Sequence, residues 1–113
     1  GAQELLDAGE LAVRAAVRAK KPKPAMTVGR QLVERFPWLG RAWRIRAEIL
    51  LAAKETAQAL EAVTKAVELD PKDVRSQELL GNVNLRFGQR EKAKAAYEAA
   101  LELAKGTPRE AEV

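Results

Sequence analysis

The sequence predicts an all-α protein, a solenoid of three stacked antiparallel helix pairs, and three observations support that prediction. Equivalent residues recur every 34 positions, as Ala25, Ala59 and Ala93 do, and as Pro37 and Pro71 do. Within each period the apolar residues fall at three- and four-residue spacing, which indicates amphipathic helices. Apolar residues make up 47% of the chain and aromatic residues only 4%, a mixture that favours close helix packing over a β-sheet. A fixed period of this length indicates units that bury their apolar faces against one another.

The first unit, about residues 6–39, is the least regular of the three. Its periodicity predicts one helix over 4–19. A second helix is expected to begin near Pro22 and Pro24, because the first positions of a helix have no intrahelical N–H partner to lose. Its apolar face includes Leu32.

The second unit, about residues 40–73, shows the pattern more clearly. Trp43 and Leu50 lie on one face of its first predicted helix, and a polar break follows at Lys54. The second helix is expected to end at Asp70-Pro71, because proline disfavours helical geometry in the residue before it and cannot continue the hydrogen-bond ladder.

The third unit, about residues 74–107, repeats this organisation. We expect helices over 74–87 and 91–104, with Gly88 supplying the turn between them. The apolar side chains expected to face inward on the second of these helices are Ala93, Ala96, Tyr97, Ala100, Leu101 and Leu103.

The end of the chain breaks at Gly106-Thr107-Pro108 and leaves only the start of a further helix over 108–113. Without a following helix, Ala93, Ala96, Ala100 and Leu103 are expected to lie partly uncovered. The chain also begins with Gly1 rather than methionine. We therefore expect a fragment of a longer array.

The residues at fixed positions of these units resemble the tetratricopeptide repeat. Those that carry the resemblance are Trp43, Ala47, Ala59, Ala66 and Pro71 in the second unit and Leu80, Gly81, Gly88, Ala93, Tyr97 and Ala100 in the third. The resemblance implies a right-handed superhelix whose concave face is lined by the first helix of each pair and holds partner proteins. Gln77 and Gly9 depart from the pattern where a large residue is usual, and Arg46 stands where leucine is usual.

The resemblance also implies which side chains point into the concave groove. Those expected to contact a partner are Arg14, Arg18, Arg41, Arg44, Ile45, Glu48, Leu51, Arg75, Leu79, Asn82 and Arg86. The arginines suit acidic groups, because a guanidinium binds a carboxylate through two parallel hydrogen bonds. The leucines and the isoleucine suit apolar anchors of an extended or helical peptide. Two alternatives are a groove filled by the parent protein's own segments, and an interface on the convex or edge surface.

One ligand mode of the family, the carboxylate clamp for chaperone tails, does not match. It requires Lys, Asn, Asn, Lys and Arg at five groove positions, and this chain has Glu10, Arg14, Ile45, Arg75 and Leu79 there. Only Arg75 is a fair match, so we do not expect this clamp.

Composition argues against several other functions. The chain has neither cysteine nor histidine, which removes the usual nucleophile–base pairs and the commonest metal ligands. No phosphate loop or metal-binding spacing is found, so we expect no enzymatic activity and no cofactor. The net charge of +4 is mild, and the only tight basic cluster, Lys20, Lys21 and Lys23, suits a solvated loop better than a nucleic-acid surface.

The function predicted from the sequence is a protein–protein interaction scaffold that holds a partner in its groove. No apolar run approaches the ~20 residues that span a bilayer, so we expect a soluble protein of the cytoplasm or the periplasm. One alternative is self-assembly through uncovered terminal helices. Another is a regulatory or docking segment of a bacterial assembly for pilus formation or polysaccharide export. Trp38, in the loop after Pro37, is expected to cover the hinge between units or to anchor a partner.

Overall fold

The computed structural model describes residues 1–105 of the chain, and this part consists of helices joined by turns, with no strand. Its six helices are α1 (Ala2–Ala19), α2 (Lys23–Arg35), α3 (Gly40–Ala52), α4 (Thr56–Leu69), α5 (Val74–Arg86) and α6 (Arg90–Ala104). The prediction of an all-α helical solenoid is confirmed.

Each helix packs against its neighbours in a regular order. The pairs α1–α2, α3–α4 and α5–α6 are each in contact, and α2–α3 and α4–α5 join one pair to the next. The inner layer is α1, α3 and α5, which touch in succession, whereas the outer helices α4 and α6 have no extensive contact with each other. This arrangement leaves one long surface on the inner layer and clefts between the outer helices.

Prolines end two of the outer helices at equivalent places. Phe36 and Asp70 directly precede Pro37 and Pro71, and both leave helical geometry, with φ and ψ of −128° and 58° at Phe36 and −143° and 79° at Asp70. A proline ring disfavours helical geometry in the residue before it, so α2 and α4 stop there. The predicted stop at Asp70-Pro71 is confirmed.

The turns after the inner helices share a left-handed residue. Lys20, Lys54 and Gly88 have φ of 55°, 63° and 82° and are spaced by 34 residues. Only glycine adopts this conformation without steric cost, so the two lysines hold strained backbone at the ends of α1 and α3. The turn predicted at Gly88 is confirmed.

The core consists of two apolar clusters joined through α3. One cluster draws on α1, α2 and α3, and the other on α3, α4 and α5. Trp43 packs against both clusters, and its indole N–H donates to the Pro37 carbonyl at 2.9 Å. Burial of the aromatic body with its polar hydrogen satisfied is the favourable arrangement for a tryptophan.

Side-chain volumes at one inner–outer contact change in step from unit to unit. In the second unit Ala47 and Val63 are both fully buried. The residues 34 positions later are Gly81 and Tyr97, and a Cβ added at Gly81 would lie 2.5 Å from Tyr97 Cε1. The loss of a methyl group on α5 therefore accommodates the larger ring on α6.

The last helix corrects two of the expectations from sequence. Ala93, Ala96 and Ala100 are buried rather than partly uncovered, and Leu103 is half-buried, because α5 already covers this face of α6. Leu101 was expected to face inward and is instead 68% exposed, since one residue of helical rotation carries it away from the face of Ala100. The expected break at 106–108 and the expected helix at 108–113 lie outside the described residues.

Candidate partner-binding groove

The inner layer presents two chemically different surfaces, and the first is a group of paired charges near the beginnings of α3 and α5. We call it the ion-pair cluster; its members are Asp7, Glu10, Arg41, Arg44, Glu48, Asp73 and Arg75.

Arg44 is at the centre of the ion-pair cluster. Its Nη1 lies 3.3 Å from Glu10 Oε1 and 2.5 Å from Glu48 Oε1, and its Nε lies 3.6 Å from Asp73 Oδ2. The side chain is only 4% exposed. A buried guanidinium is stable only when carboxylates compensate its charge, and here three inner-layer segments supply them.

Glu10 connects the same cluster from α1. Besides Arg44, its carboxylate lies 3.6 Å from Arg41 Nη2 and 3.4 Å from Arg75 Nη1. One carboxylate of α1 thus contacts two arginines of α3 and one arginine of α5. These contacts hold the helices α1, α3 and α5 at a fixed spacing.

The cluster shifts the titration of its two central groups. Burial alone would raise the pKa of the Glu10 carboxyl, but the charges of Arg44, Arg75 and Arg41 outweigh burial and lower that pKa. Burial alone would lower the pKa of Arg44, but Glu48 and Glu10 outweigh it and raise that pKa. Both groups are held in their charged forms.

Three of the arginines predicted to hold a partner's acidic groups are therefore engaged within the chain. Arg41 donates to Asp7 at 3.0 Å, Arg44 is buried, and Arg75 pairs with Glu10. Ile45, predicted as an apolar contact, is fully buried in the core rather than facing the groove.

The second surface is an apolar cleft of about 630 Å³ between the C-terminal halves of α1, α3 and α5. Its lining residues are Val13, Ala16, Val17, Lys20, Pro22, Glu48, Leu51, Ala52, Ala53, Lys54, Leu79 and Arg86. We call it the inner cleft. Four of the residues predicted for the groove line it: Glu48, Leu51, Leu79 and Arg86.

The edge of the inner cleft is basic. Lys20, Lys54 and Arg86 are exposed, and none of them has an ion pair with another described residue. Arg14 and Arg18, two further predicted groove residues, are also exposed on α1 and likewise unpaired within residues 1–105. Glu48 is the only acidic lining residue, and it is paired with Arg44. The free charge around the cleft is therefore positive.

Three other residues considered at the sequence level are located as follows. Asn82 is exposed on α5 and accepts a hydrogen bond from the Tyr97 hydroxyl at 2.5 Å. Arg46 is half-buried beside α2, where a Cβ added at Gly29 would lie 3.4 Å from its Cα. Trp38 is largely exposed and makes an edge-on contact with the Phe36 ring at 6.0 Å between centroids.

Sequence reasoning missed the two lysines of the cleft edge, although a signal for them existed. Lys20 and Lys54 stand two repeats and one repeat before Gly88, for which the sequence predicts a turn. That alignment places both lysines at the ends of inner helices, next to the groove.

Among the described residues, no group of three or more histidine, cysteine or acidic side chains could hold a metal ion. None of the helices in 1–105 combines the length and hydropathy of a membrane span.

A family model described as a tetratricopeptide repeat-like domain matches residues 11–111. A comparison with curated protein sequences gave no match.

Solved structures share the fold. The protein MamA from Desulfovibrio magneticus RS-1, from residue 41 to its end, superposes with a TM-score of 0.77 at 23% identity, over 91% of this chain. The type III secretion translocator chaperone SycD of Yersinia enterocolitica superposes with a TM-score of 0.80 at 17% identity. The match covers 97% of this chain and 73% of the SycD chain. The TPR domain of Sgt2 from Aspergillus fumigatus superposes with a TM-score of 0.79 at 24% identity. The match covers 93% of this chain and 67% of the Sgt2 chain. The chain spans 58% of the length of the MamA structure.

Proposed function

Because the chain belongs to the tetratricopeptide repeat-like domain family, we propose that it is a protein-binding module that holds a partner segment in the inner cleft. The single observation that carries this proposal is an apolar cleft of about 630 Å³ whose edge carries three exposed cations without ion pairs among the described residues. The likeness to a translocator chaperone supports a protein as the occupant.

The proposed occupant is a segment with apolar anchors and acidic flanks. Val17, Leu51 and Leu79 offer apolar surface inside the cleft, and burial of an apolar side chain there contributes about 1.5–3 kcal/mol. Lys20, Lys54 and Arg86 would attract carboxylates at its edge, which accelerates association and selects against basic partners.

The ion-pair cluster has a different role in this proposal. Arg44 and Glu10 hold the three inner helices at fixed spacing before any partner arrives. A cleft that is already formed loses little conformational entropy on binding, which favours affinity. The cluster is therefore a positioning element, and the partner's acidic groups contact the free cations instead.

The experiment compares two triple variants of equal charge in a pull-down from the source lysate. Lys20→Glu/Lys54→Glu/Arg86→Glu reverses the cleft edge. Lys65→Glu/Lys72→Glu/Arg90→Glu reverses three exposed cations that do not line the cleft and have no ion pair among the described residues. Far-UV circular dichroism verifies that both variants are folded.

We expect the wild type and the second variant to capture the same partner and the cleft-edge variant to lose it. A partner that both variants retain would contradict binding in the inner cleft. A partner lost by both would indicate general charge attraction instead of a defined site.

A further inference from the structure

A second cleft, of about 480 Å³, lies between the outer helices α4 and α6 with α5 beneath it. It shares no lining residue with the inner cleft. Leu60, Val67, Leu80 and Ala95 give it apolar walls, whereas Gln77, Asn84 and Gln89 contribute side-chain amides. We call it the amide cleft.

The preceding repeat has the same site in a smaller form. Its cleft of about 190 Å³ is lined by Met26, Arg30, Arg46, Leu50 and Gln58, each 34 residues before a lining residue of the amide cleft. The amide cleft is therefore an enlarged version of a feature built into the repeat.

Two substitutions between the repeats bear on the proposal. Leu50, which is buried in the core, corresponds to Asn84 in the third repeat. Trp43, which packs against both apolar clusters, corresponds to Gln77. An amide replaces a larger apolar side chain at both positions, which leaves more space in the third repeat and places side-chain amides there.

Two of the polar atoms in this cleft are acceptors that lack a donor. Asn84 is 97% buried, and its Nδ2 donates to the Leu80 carbonyl at 3.0 Å, which leaves Oδ1 as the unengaged end of the amide. Asn84 Oδ1 and Gln89 Oε1 are both buried and have no hydrogen-bond donor among the described residues. A buried acceptor without a donor costs about 1–3 kcal/mol, and a ligand that supplies a donor recovers that energy.

We propose that the amide cleft binds a tryptophan side chain of a partner protein. An indole is flat and apolar and carries one N–H donor and no acceptor, which matches apolar walls around unsatisfied acceptors. In the preceding repeat, the position equivalent to Gln77 is occupied by the larger side chain of the chain's own Trp43. The indole N–H binds one amide oxygen, and a backbone N–H of the same partner segment binds the other. The side chain of Gln89 is half-buried, and it rotates so that the indole N–H can enter the cleft.

The test uses N-acetyl-tryptophanamide as a probe, followed by NMR on the isotope-labelled chain. We expect saturable shifts of the side-chain amides of Asn84 and Gln89. N-acetyl-phenylalaninamide, which has the same backbone amides and an apolar ring but no ring donor, should bind at least about fivefold more weakly, because it leaves one of the two acceptors unsatisfied.

Two variants fill the cleft with the residues of the preceding repeat. Asn84→Leu and Gln77→Trp should each weaken probe binding by about fivefold or more, the first by removing the acceptor and the second by occupying the space. Gln58→Leu, an exposed amide of α4, is the matched control and should leave probe binding unchanged.

Three results would overturn the assignment. One is the absence of saturable shifts at Asn84 and Gln89. Another is equal binding of both probes to the wild type, or binding of N-acetyl-tryptophanamide to Asn84→Leu and Gln77→Trp as tight as to the wild type. The third is a shift pattern that changes on dilution and disappears in Trp38→Ala, because it would show that a second copy of the chain occupies the cleft.

Discussion

The carboxylate of Glu10 and the guanidinium of Arg44 lie 3.3 Å apart and are separated by one 34-residue repeat. Asp7 and Arg41 have the same relationship, at 3.0 Å. Equivalent positions of neighbouring repeats lie side by side on the inner layer, so opposite charges at those positions join one repeat to the next. These pairs stabilise the array, which explains why the arginines most conspicuous in the sequence are not free to hold a partner.

Removing the charge of Arg44 should strongly destabilise the fold. Arg44→Leu would remove the ion-pair partner of Glu48 and Asp73, and among the described residues it would leave Glu10 with only Arg41 and Arg75. We expect a loss of about 3–5 kcal/mol in the free energy of unfolding, measured by urea denaturation.

The matched control for that variant is Arg14→Leu, which removes an exposed arginine without an ion pair in the described part of the chain. It should change stability by no more than about 0.5 kcal/mol. Equal stability of the two variants would show that the ion-pair cluster does not hold the repeats together.

Stability should decline in acid partly through Glu10. Its pKa is lower in the folded chain than in the unfolded chain, so the unfolded state binds the proton first as pH falls. The contribution of Glu10 is fully present above its ordinary pKa of about 4.3 and is lost as pH falls through the lowered value.

The measurement compares urea unfolding of wild type and Glu10→Gln from pH 6 to pH 3. We expect the stability difference between them to shrink toward the acid end of this range. A difference that stays constant with pH would mean that Glu10 titrates normally in the folded chain.

The contact between Gly81 and Tyr97 should make Gly81→Ala destabilising. The new Cβ would lie 2.5 Å from Tyr97 Cε1, so the ring or the helices must shift, at a cost of about 1–3 kcal/mol. In a Tyr97→Val background, which reproduces the Ala47 and Val63 pair of the second unit, the same substitution should cost much less. Thermal unfolding of the wild type, the two single variants and the double variant measures this, and additive effects would contradict the proposed volume exchange.

Replacing the strained turn residue Lys54 with glycine should raise the stability of the chain and weaken its binding to a partner. Lys54→Gly relieves a φ of 63° and should raise the free energy of unfolding by about 0.5–1 kcal/mol while removing a cation from the inner cleft. Partner capture should weaken at the same time. The reverse change, Gly88→Lys, should lower the melting temperature. If Lys54→Gly is less stable than wild type, the turn is not strained.

The fold could be predicted from sequence because its signals are local and repeated. The 34-residue period, the helical spacing of apolar residues and the proline after Asp70 each determine local geometry, and the structure has the corresponding helices and ends.

Burial in the groove could not be predicted in the same way, since it depends on neighbouring helices. Leu11 and Ile45 occupy equivalent positions, yet Leu11 is exposed and Ile45 is fully buried. Ile45 packs against α1, where a Cβ added at Gly9 would lie 3.2 Å from its Cγ2, whereas no described helix precedes α1 to cover Leu11. The opposite charges of Glu10 and Arg44 at a spacing of one repeat were a usable signal for an internal ion pair.

The central claim, that a partner lies in the inner cleft, is tested most directly by photo-crosslinking from two exposed apolar positions. A benzoylphenylalanine at Val17, which lines the cleft and is 59% exposed, is compared with one at Leu101 of α6, which is 68% exposed and does not line it. We predict that the partner is crosslinked from position 17, that reversing Lys20, Lys54 and Arg86 abolishes this crosslink, and that position 101 gives none. A partner crosslinked from position 101 and not from position 17 would contradict the account.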